Sequence, residues 1–179
     1  MDISPDGDVI LVVGPQSARL RVHSRCLSSA SKVFGAMFGP IWSEGRGLSQ
    51  ESPKEVRLEE DDATALRTIC CVIHHRNDAV PKDISPPQVL QIAIAADKYD
   101  LGVALIYATI QWLQHKDNLS KTEMACLMTA AYIFGDMDMF VKGTLALIIN
   151  YQGPYLELLG NEAIHEHLPH KTICESRHL

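Results

Sequence analysis

The patterned part of the chain opens on a continuous apolar run, Val9-Ile10-Leu11-Val12-Val13, behind a short polar lead that contains Pro5 and Gly7. An uninterrupted run of this length predicts a strand over residues 8–13, buried on both faces. Gly14-Pro15-Gln16 interrupts it, because glycine tolerates positive φ and proline fixes its own. Ala18-Arg19-Leu20-Arg21-Val22 then alternates, with Leu20 and Val22 inward and both arginines outward, so the two runs predict a hairpin. From His23 the apolar period lengthens from two to that of a helix. Residues 23–38 predict two short helices that meet at the small residues Ser28 to Ser31, with Ser31 as the N-cap of the second. Val33, Phe34, Met37 and Phe38 give that second helix one apolar face, and Gly39-Pro40 stops it.

Serines, glycines and glutamates over residues 43–53 predict a mobile polar loop. Glu55-Val56-Arg57-Leu58 reads as a short strand with Val56 and Leu58 on one face. The acids at 59–62 suit a helix start, where the dipole favours negative charge, and the helix runs on through His75. Leu66, Ile69, Cys70 and Ile73 form its core stripe. After a loop at 76–81, Ser85-Pro86-Pro87 opens another helix, since proline is tolerated in a first turn. Its residues 89–96 are apolar nearly all round, which predicts a central, buried helix. Leu101, Leu105, Ala108, Thr109 and Trp112 give the next helix one apolar face. Met124, Leu127, Met128 and Ala131 form a further stripe. Phe140, Val141, Thr144, Leu145 and Ile148 form another, and Gly135-Asp136 breaks the two into an antiparallel pair. Residues 153–179, after Gly153-Pro154, read as a C-terminal tail or partial helix. There is no internal repeat of fixed period.

Composition narrows the class. A chain of 179 residues that is 46% hydrophobic can bury a real core and is not of disordered composition. The net charge is −6, with Glu59-Glu60-Asp61-Asp62 clustered and no basic cluster, the opposite of a nucleic-acid surface. No apolar run reaches the roughly 20 residues of a membrane span. The N-terminus lacks the basic start and apolar core of a signal peptide. Five cysteines, Cys26, Cys70, Cys71, Cys126 and Cys174, are odd in number and form no Cys-x-x-Cys, which suits a reducing compartment. The expected location is cytoplasmic, nuclear or both, with neither membrane nor nucleic acid as partner.

Candidate chemistry is sparse. Cys70 with His74, and Cys71 with His75, are i, i+4 pairs, but the two pairs point about 100° apart on one helix and cannot close a single tetrahedral metal site. They read instead as buried thiols and a helix end finished by histidine. His165, His167 and His170 read as a solvated tail rather than a metal site. There is no phosphate loop, no Gly-x-Gly-x-x-Gly and no Gly-x-Ser-x-Gly. No catalytic residue, cofactor or metal is expected.

Asp8, Val9, Leu11, Val12 and Val13, then His23 and Leu27, then Ser31, Val33, Phe34, Met37 and Phe38 form an ordered set that resembles the BTB/POZ domain. Ala96-Asp97-Lys98-Tyr99-Asp100-Leu101 matches a second motif of that family, so the resemblance covers residues 6–116. It implies an α+β fold, a small three-stranded sheet packed on a helical cluster, with residues 117–152 as a helical hairpin extension. His74-His75-Arg76-Asn77-Asp78 and Val80-Pro81 resemble the fungal-type members. The resemblance also makes His23 a structural residue, although its neighbour Cys26 would suit a Cys–His nucleophile.

Function follows from the resemblance as an expectation: a protein–protein interaction module. BTB adaptors that recruit a cullin carry a hydrophobic-x-Glu element after the second short helix, and Trp42-Ser43-Glu44 stands there. Phe38, Ile41, Trp42 and Glu44 are therefore the candidate partner-binding residues, for a protein partner that includes a cullin of a ubiquitin ligase. A Trp42 folded back onto its own loop is the competing reading. No second recognition domain accompanies the element, so a stand-alone scaffold or a transcription-associated self-association domain, with no ubiquitin role, is the alternative. Self-association would use Arg25, Cys26, Leu27 and Ser28. The family's dimers pair the first-strand Asp with a basic residue after the His, and here Ser24 stands in that place, with Arg25 adjacent. A serine-rich helix and only seven residues before Asp8 predict a monomer or weak homodimer.

Overall fold

The computed structural model describes residues 3–114, 118–150, 158 and 160–168. Within them the order is β1 (Val9–Val13), β2 (Ala18–Val22), α1 (Ser24–Ala30), α2 (Lys32–Met37), a 3-10 turn (Ser43–Gly45), β3 (Lys54–Leu58), α3 (Ala63–Ile73), α4 (Pro86–Lys98), α5 (Gly102–Trp112), α6 (Lys121–Phe134), α7 (Met137–Asn150) and α8 (Glu162–His167). Three strands and eight α-helices among the described residues make a mixed α+β fold.

Two compact units are present. One holds the residues up to Lys82 with Ala95–Ala108, the other Asp83–Ile94 with the described residues from Thr109 onward. In the first, the sheet order is β2-β1-β3, with β1 antiparallel to β2 and parallel to β3. That central place explains the apolar run: Val9, Leu11, Val12 and Val13 are all buried. Arg19 on β2 reaches Glu55 on β3 at 2.6 Å across the solvent face, as the alternation of Ala18–Val22 requires. The lead is tied down too, its Ile3 buried and its Ile3 and Ser4 N–H groups donating to the Arg21 carbonyl.

The helices of this unit are set by caps. Ser31 accepts the Phe34 N–H at 3.0 Å and donates to the Tyr99 carbonyl, so one hydroxyl starts α2 and ties it to the end of α4. Asp62 caps α3 by accepting the Ala65 N–H at 2.7 Å, and the predicted stripe Leu66, Ile69, Cys70 and Ile73 is buried. Helix α3 ends at Ile73, with His74 as its cap and His75 at φ 60°, the left-handed turn that closes a helix. Phe34 stacks on Tyr99 with centroids 4.5 Å apart. Of the helix-spaced set in α2, Phe34 and Phe38 are core, whereas Val33 is 38% exposed and Met37 partly so.

In the second unit, Val89, Leu90, Ile92 and Ala93 of α4 are buried, as is α6 from Met124 to Ala131. A capping box, Ser120 with Glu123, opens α6, and Gly135 at φ 75° closes it. Asp136 then accepts the Met139 N–H at 3.0 Å to start α7, so the predicted break is a C-cap followed directly by an N-cap. The stripe predicted for α7 needs correction. Its buried seam is Met139, Gly143 and Leu147, while Val141 and Leu145 are exposed. A Cβ on Gly143 would lie 3.0 Å from the Met128 Cβ; the crossing with α6 is set by that small residue, and larger apolar side chains turn outward. Of the expected tail or partial helix at 153–179, the described residues include α8, capped by Asn161 and with Ile164 and Leu168 buried. His165 and His167 therefore sit on a short helix, while His170 and Cys174 lie outside the described residues.

Candidate functional site

The site is built where α2 ends. Phe38 anchors that end from inside, buried and stacked on Phe34 at 6.0 Å; it is a core residue and not a surface anchor, because its ring completes the α2 packing. Gly39-Pro40 then turns the chain outward, leaving Ile41 81% and Trp42 58% exposed.

The loop expected to be a mobile polar segment begins as an ordered 3-10 turn. Lys54, at the start of β3, donates its ammonium to the Ser43 carbonyl and, at 3.2 Å, to the Arg46 carbonyl. Gly45 lies so close to the end of α2 that a side chain would strike the Phe38 and Gly39 carbonyl oxygens, which is why glycine occupies that position. Glu44 receives the Ser43 hydroxyl at 2.9 Å. Its own backbone N–H, that hydroxyl and Lys54 hold its carboxyl below the usual glutamate range, so it is an anion at neutral pH.

Trp42 and Glu44 join Lys32, Val33, Ala36 and Met37 in lining an open groove of about 600 Å³. Ile41 does not line it. The exposed face of α2 thus forms an apolar floor, the indole forms a wall, and one carboxylate and one ammonium supply charge. Lys32 itself lies 3.5 Å from the Asp100 carboxylate. No cysteine, serine, threonine or histidine lines the groove. It suits an apolar side-chain row with a polar neighbour, the chemistry of docking. Helical spacing assigned Val33 and Met37 to one face with Phe34, and only the structure separates the two wetted residues from the core.

The residues expected to serve self-association are partly available. Leu27 is fully buried and cannot touch a partner, because its side chain fills the core beneath α1. Arg25 is exposed, and Cys26 and Ser28 are half-buried. Arg25 and Cys26, with Ser29 and Ala30 of α1, Val72 and Ile73 of α3, and Tyr107 of α5, line a second hollow of about 820 Å³. Asp8 is occupied by Ser24, whose N–H and hydroxyl approach its two carboxylate oxygens at 2.7 and 2.6 Å. Burial opposes ionisation of Asp8, but the two Ser24 hydrogen bonds prevail and leave its carboxyl below the usual range.

Among the described residues, the thiols are poor nucleophiles. Burial raises Cys26, with Asp8 adding to the effect, and pushes Cys70 up to about 12. His23 Nε2 faces Asp6 at 3.1 Å, not Cys26. Among the described residues, no three His, Cys, Asp or Glu side chains gather into a group that could hold a metal, and no helix is long and apolar enough to cross a membrane. One surface escaped the sequence reading. Val103, Ile106, Tyr107 and Ile110 leave a second apolar face on α5 exposed, opposite the predicted one. Their i, i+3, i+4, i+7 spacing was the available signal.

A family model described as BTB/POZ domain matches residues 6–107. No curated protein matches the chain.

Proposed function

Because this chain belongs to the BTB/POZ domain family, a family of protein-interaction modules, we propose that it seats a protein partner in the groove between α2 and Trp42-Ser43-Glu44. The partner proposed is a cullin, which makes the chain an adaptor of a cullin-RING ubiquitin ligase, acting in the cytoplasm or nucleus. The observation that carries this reading is Trp42, 58% exposed on a turn pinned by Lys54. A large rigid ring on ordered backbone contributes much buried area at small entropic cost, which is how interface hot spots work. Glu44 adds a fixed negative charge that selects the register of a partner's donor. Residues 117–152 are proposed as a helical extension of the domain.

Calorimetric titration with a cullin N-terminal domain tests it. Saturable binding is expected, and Trp42→Ala should weaken it by more than about 2 kcal/mol with the melting temperature nearly unchanged. No binding by the unmodified chain sinks the adaptor reading, and a large loss of stability in the variant would move Trp42 from the interface to the fold.

The second reading is a stand-alone scaffold or transcription-associated self-association domain. What favours it is the hollow beside α1, with Arg25 and Cys26 on its wall. Self-association is proposed as weak: Ser24 already satisfies Asp8, which leaves that carboxylate less need of a basic partner.

A further inference from the structure

We propose that His74 and the backbone of His23 form an acid-sensitive latch, which holds the start of α1 on the end of α3 and releases it when His74 gains a proton.

The protonation state follows from the partners. His74 Nε2 lies 3.0 Å from the His23 backbone nitrogen. An amide N–H only donates, so Nε2 must offer its lone pair. His74 Nδ1 lies 2.8 Å from the Cys70 carbonyl oxygen. A carbonyl only accepts, so Nδ1 must carry the hydrogen. Both contacts are satisfied by one neutral tautomer and by no other form of the ring. A second proton on Nε2 would set N–H against N–H, and the link between α1 and α3 would be lost.

The surroundings favour the neutral ring. His74 is buried. The His23 ring stacks on it with centroids 6.2 Å apart, and Asp6 stands 3.1 Å from the far nitrogen of His23, so that carboxylate is turned to His23 and not to His74. Asp8 is turned to Ser24. Arg76, on the loop after α3, is turned to Asp78 and the Ile3 carbonyl. His75, next in the chain, adds only repulsion, and the Cys70 thiol, raised by burial, stays uncharged. Burial, the largest cause, outweighs the hydrogen bonds to the Cys70 and His23 backbone and, with His23 and His75 adding repulsion, draws His74 below the ordinary histidine range.

The sign follows from linkage. The folded state binds the His74 proton less readily than the unfolded chain, where histidine titrates near pH 6.5. The latch therefore contributes its full stability above about pH 6.5, and this is lost as the pH falls toward the lowered folded value. Release would loosen the first turn of α1, which carries Arg25 and Cys26 on the wall of the 820 Å³ hollow. A ligand or second copy seated there would be held less well in acid.

Two measurements on the full chain test this. In the unmodified protein, nitrogen NMR of the histidine rings should show His74 as the Nδ1-protonated tautomer at pH 7, titrating below the ordinary value. Amide exchange at His23 to Leu27, corrected for its intrinsic pH dependence, should accelerate as His74 titrates. His74→Gln keeps one acceptor and one donor without a titrating group, so its melting temperature should vary less between pH 7.5 and 5.5 than that of the unmodified chain, while His23→Gln should retain the drop. An Nε2-protonated tautomer, ordinary titration, or an acid drop that persists in His74→Gln would each overturn the latch. If His74→Gln fails to fold, the NMR measurements decide alone.

Discussion

At the scale of single residues, Tyr99 shows how one side chain closes several contacts. Its ring stacks on Phe34, its hydroxyl donates to Asp61 at 2.6 Å, and Lys98 donates to the other Asp61 oxygen at 2.8 Å. Asp61 is only 8% exposed, so those two donors take the place of water at its carboxylate oxygens. Burial, reinforced by Asp61, keeps the Tyr99 hydroxyl protonated well above the usual tyrosine range, which fixes it as a donor. Tyr99→Phe keeps the stacked ring and deletes that donor. It should cost about 1–3 kcal/mol, the penalty for leaving a buried acceptor short of a partner. Urea unfolding should show a lower midpoint with an unchanged slope; an unchanged midpoint would mean that Lys98 alone satisfies the carboxylate.

At the scale of elements, the pairing of α6 with α7 depends on an absent side chain. Gly143→Leu would drive new atoms into Met128, and overpacking of this kind costs about 1–3 kcal/mol. The expected result is faster hydrogen exchange in the α6 and α7 peptides, while β1 to β3 keep their protection. Equal loss in the sheet would show that the damage is not confined to the pair. The same helix shows where sequence reading stops. Strand β1 was legible as an unbroken apolar run and β2 by its period of two. Ser31 was legible as a cap because a hydroxyl before an apolar turn has a local task, whereas the acids at 59–62 marked a helix start without singling out Asp62. In α7, apolar residues lie on several sides, and what chooses among them is a close crossing at Gly143, which hydrophobicity does not register. Helix α5 is likewise apolar on two sides, one buried at Leu105 and Trp112 and one exposed at Val103, Ile106, Tyr107 and Ile110. At the site, Trp42 and Glu44 were marked by motif, but Phe38, which belongs to the same apolar stripe as Val33, is buried and Val33 is not. Periodicity gives a face, not its depth.

At the scale of the whole molecule, the question is how many copies associate. Ser24 rather than a basic residue meets Asp8, Leu27 is turned inward, and the lead is bound to its own β2. The exposed part of α1 is then mostly polar, which is poor material for an obligate interface. A monomer is expected, or a dimer with a dissociation constant at or above the micromolar range, roughly −8 kcal/mol or less favourable. Light scattering during size exclusion at tens of micromolar should give a mass that rises with concentration or stays near 19.8 kDa. A constant mass of twice that would show that the interface does not depend on a charged pair.

The parallel pairing of β1 with β3 carries a consequence for the order in which the chain assembles. The hairpin of β1 and β2 joins near neighbours and can close early, whereas β3 arrives only after the whole stretch from Gly14 to Pro53 has been looped back, a non-local step that is intrinsically slow. Lys54, the first residue of that late strand, is also the residue that pins Ser43 and Arg46. The groove under Trp42 is therefore finished by the last strand to join the sheet. A chain still being synthesised, or one whose edge strand has frayed, has no completed groove, so the groove and the closed sheet come and go together.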